Sequence, residues 1–153
     1  MKIHKEIERK FLLKRFPKLE KINTVYQIEQ WYYSDGYRYR KQLEVPTNKL
    51  SIIRTKKTNI SKGVFQEEEV SLSLDEFNDL DLTNSISIKK TRTVVKYKGF
   101  KFEIDKYENM NVVIMEVELD DINEPVLFPK YLEREILYEV TGIKEFTNRK
   151  LAE

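Results

Sequence analysis

The sequence contains no cysteine and a single histidine, His4. A disulfide scaffold, a thiolate nucleophile and thiolate-ligated zinc are therefore excluded, and a Ser-His triad can be built only around that one imidazole. Metal chemistry, if present, must rely on oxygen ligands. Only four glycines occur, Gly36, Gly63, Gly99 and Gly142; they lie too far apart for G-x-x-x-x-G-K-[ST] or G-x-G-x-x-G, which excludes a P-loop or Rossmann nucleotide site. No run approaches the roughly 18 apolar residues of a membrane span. The N-terminus MKIHKEIERK is charged where a secretory hydrophobic core would begin. The expectation is a cytoplasmic protein with neither membrane span nor signal peptide. Charge of one sign is also lacking: 28 Lys+Arg stand against 26 Asp+Glu, a net charge of +2, which argues against nucleic-acid binding and against an acidic tail.

What the chain does have is charge in high density, 35% of its residues against the usual quarter or so. Its 153 residues suffice to bury about two thirds of the unfolded surface, so one domain over 1–153 is expected. Fold class reads as α+β, mainly β, because β-branched and aromatic residues alternate with turn residues at short intervals. Eight strands are expected: Ile3–Leu13, Val25–Tyr33, Tyr37–Leu43, Leu50–Lys57, Val64–Leu72, Ile86–Tyr97, Phe100–Tyr107 and Val112–Leu119. Turns such as Ser34-Asp35-Gly36, Ser61-Lys62-Gly63 and Lys98-Gly99 predict that most neighbours pair as antiparallel hairpins. Three helical stretches are expected: Lys14–Lys21; Asp75–Leu80, opened by the capping-box pattern Ser73-Leu74-Asp75-Glu76; and Pro129–Thr141. The last has proline at its start, Leu132, Ile136, Leu137 and Val140 at helical spacing, and Gly142 after its end.

Residues at i and i+2 of a strand share a face. This places Glu6, Glu8 and Lys10 together, as it does Arg38 with Arg40, Arg54 with Lys56, Glu67 with Glu69, Lys90 with Arg92, Glu103 with Asp105, and Glu116 with Glu118. A single such pair is the ordinary pattern of a half-solvated sheet. The strand Val112–Leu119 speaks for more: one of its faces is wholly apolar, and the other begins apolar before its two glutamates, as in a strand buried on both sides. If the charged faces turn inward, acids and cations meet in one space, where they need water, bound cations and a polyanion to survive desolvation. An eight-stranded antiparallel barrel has an interior wide enough for one ligand. Arginines there suit phosphate oxygens, and paired glutamates suit Mg²⁺ or Mn²⁺.

In this order the residues resemble the CYTH superfamily, or triphosphate tunnel metalloenzymes. Its Glu-x-Glu-x-Lys hallmark reads here Glu6-Ile7-Glu8-Arg9-Lys10. Arg38-Tyr39-Arg40, Glu67-Glu68-Glu69 and Lys90-Thr91-Arg92 are similar to its next charged strands, and Glu103-Ile104-Asp105 and Glu116-Val117-Glu118 to its later acidic ones. Glu139-Val140-Thr141 and Asn148 with Leu151-Ala152 resemble its C-terminal end. Two places depart: the family carries a fourth-strand lysine in a Thr-Ile-Lys context, where this chain reads Ile53-Arg54-Thr55-Lys56, leaving Arg54 and Lys56 as alternatives, and its second strand often ends in Gln-x-Tyr-Leu, which Gln30-Trp31-Tyr32-Tyr33 matches only approximately.

The resemblance implies an eight-stranded tunnel in which Lys10, Arg38, Arg40, Arg54 or Lys56, Lys90 and Arg92 bind a triphosphate. It implies Glu6, Glu8, Asp105, Glu116 and Glu118 as ligands of Mg²⁺ or Mn²⁺, with Glu67 and Glu69 at the water and Lys90 as an alternative base. The activity implied is hydrolysis of a terminal phosphoanhydride, foremost of inorganic tripolyphosphate to pyrophosphate and phosphate, by a monomer or homodimer. The alternatives are a nucleotide or thiamine triphosphatase or adenylyl cyclase on the same scaffold, and a non-catalytic polyphosphate binder. His4 shares the face of Glu6 and Glu8 but reads as a surface or packing residue, and the aromatic run Trp31-Tyr32-Tyr33 as core rather than a nucleobase platform.

Overall fold

A computed structural model describes residues 1–21 and 24–153. Among them nine strands form: β1 Lys2–Leu13, β2 Thr24–Tyr32, β3 Arg38–Val45, β4 Lys49–Ser61, β5 Val64–Ser71, β6 Ile86–Tyr97, β7 Phe100–Tyr107, β8 Val113–Glu118 and β9 Ile136–Glu139. Short helices lie at α1 Leu74–Asn78, α2 Lys130–Glu133 and α3 Asn148–Ala152. All strand pairs are antiparallel. The order is β5-β4-β3-β2-β6-β7-β8-β1-β9, and a further β1–β5 pairing closes the first eight into a barrel. Two meanders of consecutive hairpins, β2 to β5 and β6 to β8, are joined through β2–β6, and β1 bridges β8 to β5. None of the described helices is long and apolar enough to cross a membrane.

The apolar core lies outside the barrel wall. On β1, Phe11 and Leu13 are buried on the face opposite Glu8 and Lys10; on β7, Phe102 and Ile104 oppose Glu103 and Asp105; on β8, Met115 and Val117 oppose Glu116. This outer sheet face is covered by Phe16, Leu19, Val126, Phe128 and Leu132, so β8 is buried on both sides, as its sequence indicated. One end of the interior is plugged by a smaller apolar cluster of Ile88, Tyr107 and Ile114, against which Phe146, Leu151 and Ala152 pack.

One expected helix is absent and another is cut to a single turn. Segment 14–21 forms no helix: Pro17 disfavours helical backbone in the residue before it, and Phe16 and Leu19 are drawn onto the core instead. In Pro129–Thr141 only the first turn, α2, is helical; Ile136–Glu139 is strand. Ile136 and Val140 are four apart, as a helix requires, but with Tyr138 they also alternate, as a strand requires. Tertiary pairing decides between them. One edge of β1 pairs with β5 only over Lys2–Ile7, and β9 satisfies its remainder through Phe11–Leu13. At the junction Glu8 N–H donates to the Gly63 carbonyl at 2.9 Å, Val140 N–H to the Lys10 carbonyl at 2.8 Å, and Lys10 N–H to Thr141 Oγ1 at 2.8 Å. Gly63 sits at φ +74°, and a Cβ there would stand 2.6 Å from the Glu8 carbonyl oxygen, so the junction demands glycine. The capping box of α1 forms in both directions, Ser73 with Glu76.

Candidate functional site

The barrel interior encloses a cavity of about 480 Å³. Glu6, Glu8 and Lys10 face it from β1, Arg38 and Arg40 from β3, Glu67 and Glu69 from β5, Arg92 from β6, Glu103 from β7, and Glu116 and Glu118 from β8. The alternation of each strand therefore turns these charges inward, because the apolar side of β1, β7 and β8 is claimed by the outer core.

The fourth strand departs from expectation. Its inward residues are Ile53, Thr55, Lys57 and Asn59. Thr55 lies opposite Arg38 in the ladder and accepts from Arg38 Nη2 at 3.3 Å. Arg54 and Lys56 have the opposite parity: the Arg54 guanidinium stands 4.8 Å over the Tyr37 ring, and Lys56 is exposed. The cation that enters from β4 is Lys57, whose Nζ reaches Glu8 Oε1 at 3.4 Å. The sequence signal was Thr55-Lys56-Lys57, a threonine two residues before a lysine, hidden because Arg54 and Lys56 formed a pair of their own.

Deep in the barrel, Asp105 is fully buried and wholly engaged. Its Oδ1 accepts from Arg92 Nε at 2.7 Å, and its Oδ2 from Arg92 Nη2 at 2.8 Å and Lys90 Nζ at 2.7 Å. Glu103 Oε2 accepts from Arg92 Nη1 at 2.8 Å. Asp105, expected at a metal, is thus the counter-ion of two cations, and Arg92 and Lys90 hold its carboxyl below the ordinary value despite burial. Lys90 Nζ also donates to Asn148 Oδ1 at 3.2 Å, from α3. Burial lowers the Lys90 ammonium to about 7, with Arg92 and Arg40 adding to the effect and Asp105 opposing it. With no exposed side-chain surface, Lys90 supports Asp105 from behind the cavity.

The cations of β3 are less neutralised. Arg40 donates from Nε to Gln30 Oε1 at 2.7 Å, and burial beside Arg38 and Arg92 lowers it to about 10. Among the described residues Arg38 has only a distant carboxylate, Glu67 at 3.9 Å, and its buried Nε has no hydrogen-bond partner. The acids show the complementary strain. Burial, with Glu67 nearby, raises Glu6 to about 7; burial and Glu116 raise Glu8 to about 8. Glu116, although buried, is held well below the ordinary value by Lys10 and Arg92. Glu67 is 3% exposed, and its Oε2 is buried without a hydrogen-bond partner. Ligand atoms of His4, Glu67 and Glu69 lie within 4.8 Å of one another. Buried donors and acceptors left unpaired side by side suit an anion and a cation bound together. Lys57, Gln30 and Asn148 were not singled out as site residues by the sequence; Trp31 packs on Phe77 at 5.2 Å between ring centroids, whereas Tyr32 of the same aromatic run lines the cavity.

No protein-family model matches the chain, and no curated protein matches it significantly in sequence. Solved structures do. Two structures of NE1496, one describing it as an inorganic triphosphatase, superpose with a TM-score of 0.60 at 26% and 23% identity, covering 96% of this chain and 97% of theirs. A Bacillus halodurans protein named for an adenylate cyclase gives a TM-score of 0.56 at 13% identity over 88% of this chain and 98% of its own. HpAC1 from Hippeastrum, named for an adenylyl cyclase and described as having a dominant triphosphatase activity, gives 0.50 at 16% identity over 76% and 80%. With its closed eight-stranded antiparallel barrel and inward charges, the chain has the fold of the CYTH, or triphosphate tunnel, proteins.

Proposed function

We propose that this chain is a metal-dependent triphosphatase acting on inorganic tripolyphosphate. One observation carries the reading: in one cavity Arg38 Nε and Glu67 Oε2, a buried donor and a buried acceptor, lack hydrogen-bond partners among the described residues. A polyanion with a divalent cation satisfies both. The name of NE1496 points the same way.

Arg38, Arg40, Lys10 and Lys57 would hold the phosphate oxygens, the arginines through paired N–H donors and the lysines as point charges. Arg92 gives two of its donor positions to Asp105 and fixes the floor of the site. Glu6, Glu8, Glu67, Glu69 and Glu116 would hold Mg²⁺ or Mn²⁺, and the raised carboxyls of Glu6 and Glu8 are what such a site looks like when protons replace the cation. The cation supplies charge neutralisation on the phosphate and a lowered pKa for coordinated water. Lys90 is a positioning residue rather than the base, since its Nζ is engaged by Asp105 and Asn148. Phosphoryl transfer demands little more than this positioning and charge.

The test is phosphate release with Mg²⁺ or Mn²⁺ from tripolyphosphate, ATP, thiamine triphosphate and pyrophosphate at equal concentration. Rapid release from tripolyphosphate supports the reading. Preference for ATP or thiamine triphosphate moves the function to an organic substrate, and silence on all four leaves a cyclase or a polyphosphate binder. Tyr26 and Phe65 line the cavity, but Lys57 Nζ stands 4.2 Å from the Phe65 ring centroid, so that ring already faces a cation rather than an open stacking site.

A further inference from the structure

We infer that His4, Glu67 and Glu69 form a one-nitrogen, two-oxygen site for a divalent transition metal at the tunnel mouth. Through it the chain takes Mn²⁺, and related ions such as Co²⁺, in preference to Mg²⁺ and Ca²⁺. The inference builds on the reading of the tunnel as a metal-dependent site but depends on no substrate. His4 and Glu67 face each other directly across the β1–β5 ladder, and Glu69 follows on the same face of β5. His4 Nε2 is 3.8 Å from Glu69 Oε1, too long for a hydrogen bond. Its Nδ1 is buried without a partner. Glu67, 3% exposed, lines the same cavity and keeps an Oε2 without a hydrogen-bond partner among the described residues, 3.9 Å from Arg38 Nη2. Among the described residues His4 Nδ1 and Glu67 Oε2 are unpaired, and one ligand atom from each of His4, Glu67 and Glu69 lies within 4.8 Å of the others, a ligand set wanting an ion. At metal–ligand distances of about 2.1 Å the cluster need close by less than about 1 Å.

Carboxylates alone make a site for hard cations; an imidazole nitrogen shifts the preference along the Irving–Williams order towards transition metals. Three protein ligands leave about three positions of an octahedral ion for water or phosphate oxygens. Nothing in the reading of the charged strands required an imidazole, so His4 acts on metal preference and not on the phosphate-binding charges.

The test uses full-length, chelator-treated protein without triphosphate. Mn²⁺ binding is followed by electron paramagnetic resonance, with electron spin-echo modulation reporting a coordinated ¹⁴N. The wild type should show nitrogen modulation and bind Mn²⁺ at least about tenfold more tightly than Mg²⁺. His4→Asn should lose the modulation and about tenfold or more in Mn²⁺ affinity, with Mg²⁺ affinity within about twofold. No nitrogen coupling in the wild type, which needs no variant to fold, overturns the inference; so does unchanged Mn²⁺ affinity in His4→Asn. Tripolyphosphate turnover without nitrogen coupling overturns this inference alone. Nitrogen coupling in a protein that hydrolyses no triphosphate upholds it and overturns the functional reading.

Discussion

Glu8→Gln should separate stability from function. Glu8 is 4% exposed, and burial together with Glu116 raises its carboxyl from the ordinary 4.5 to about 8. Between those values the native state keeps a proton that the unfolded chain has lost. Stability of the metal-free protein therefore falls as pH rises through this window and is lowest on its alkaline side. At about 1.36 kcal/mol per pH unit, the loss owed to Glu8 between about pH 5.5 and 8.5 is up to about 3 kcal/mol. Glutamine keeps the shape of the protonated acid and cannot ionise. For a domain of this size about 1 kcal/mol corresponds to about 2–4 °C in Tm. The metal-free wild type should thus lose up to about 6–12 °C more than the variant over this interval, and the variant should be the more stable protein at the alkaline end. Calorimetric melting in chelator-containing buffers across the pH series measures this directly. The same variant should lose about 100-fold or more in metal-dependent turnover, since it removes a carboxylate from the proposed metal set. Melting curves that stay parallel across pH would refute a buried, protonated Glu8.

Further outcomes follow from the same geometry. Binding of Mn²⁺ at about pH 6.5 should release one to two protons, because Glu6 and Glu8 sit at about 7 and about 8; calorimetric titration in buffers of different ionisation enthalpy counts them, and the release should fade by about pH 9. Lys57→Ala should raise the KM for triphosphate by about tenfold or more, whereas Lys56→Ala, outside the barrel, should change it less than about twofold; equal effects would mean that β4 is read in the wrong register. Asp105→Asn leaves Lys90 and Arg92 buried with one charge between them removed, and should cost about 3–5 kcal/mol in urea denaturation.

Much of the fold is legible in the sequence because period-2 alternation acts locally. The bounds of β6 and β7 coincide with those expected, and β8 differs by a residue at each end. Parity put the charges of β1, β3, β5 and β8 on one face of each strand, and the apolar flanks of β8 indicated that this face turns inward. The capping box at Ser73 is equally local, completed within four residues. Absences did as much: four scattered glycines, no cysteine and a single histidine left side-chain cations, and metal held by carboxylates with at most one imidazole, as the chemistry available for a phosphate site.

What tertiary structure decided is where local signals were balanced. Ile136, Tyr138 and Val140 satisfy a strand as well as a helix, and the open edge of β1 beyond Ile7 settled the choice. Arg54 with Lys56, and Thr55 with Lys57, were two consistent parities for β4; the pairing of Thr55 with Arg38 selected the second. The division of labour among like charges was likewise beyond local sequence. Asp105 lies between Lys90 and Arg92 at 2.7–2.8 Å and is consumed as their counter-ion, whereas Glu67 Oε2 stands 3.9 Å from Arg38 and has no hydrogen-bond partner among the described residues. Side-chain alternation is a property of a single strand, and so the sequence carries it. Which charge neutralises which depends on strand register across the barrel, where partners separated by tens of residues meet within hydrogen-bond reach.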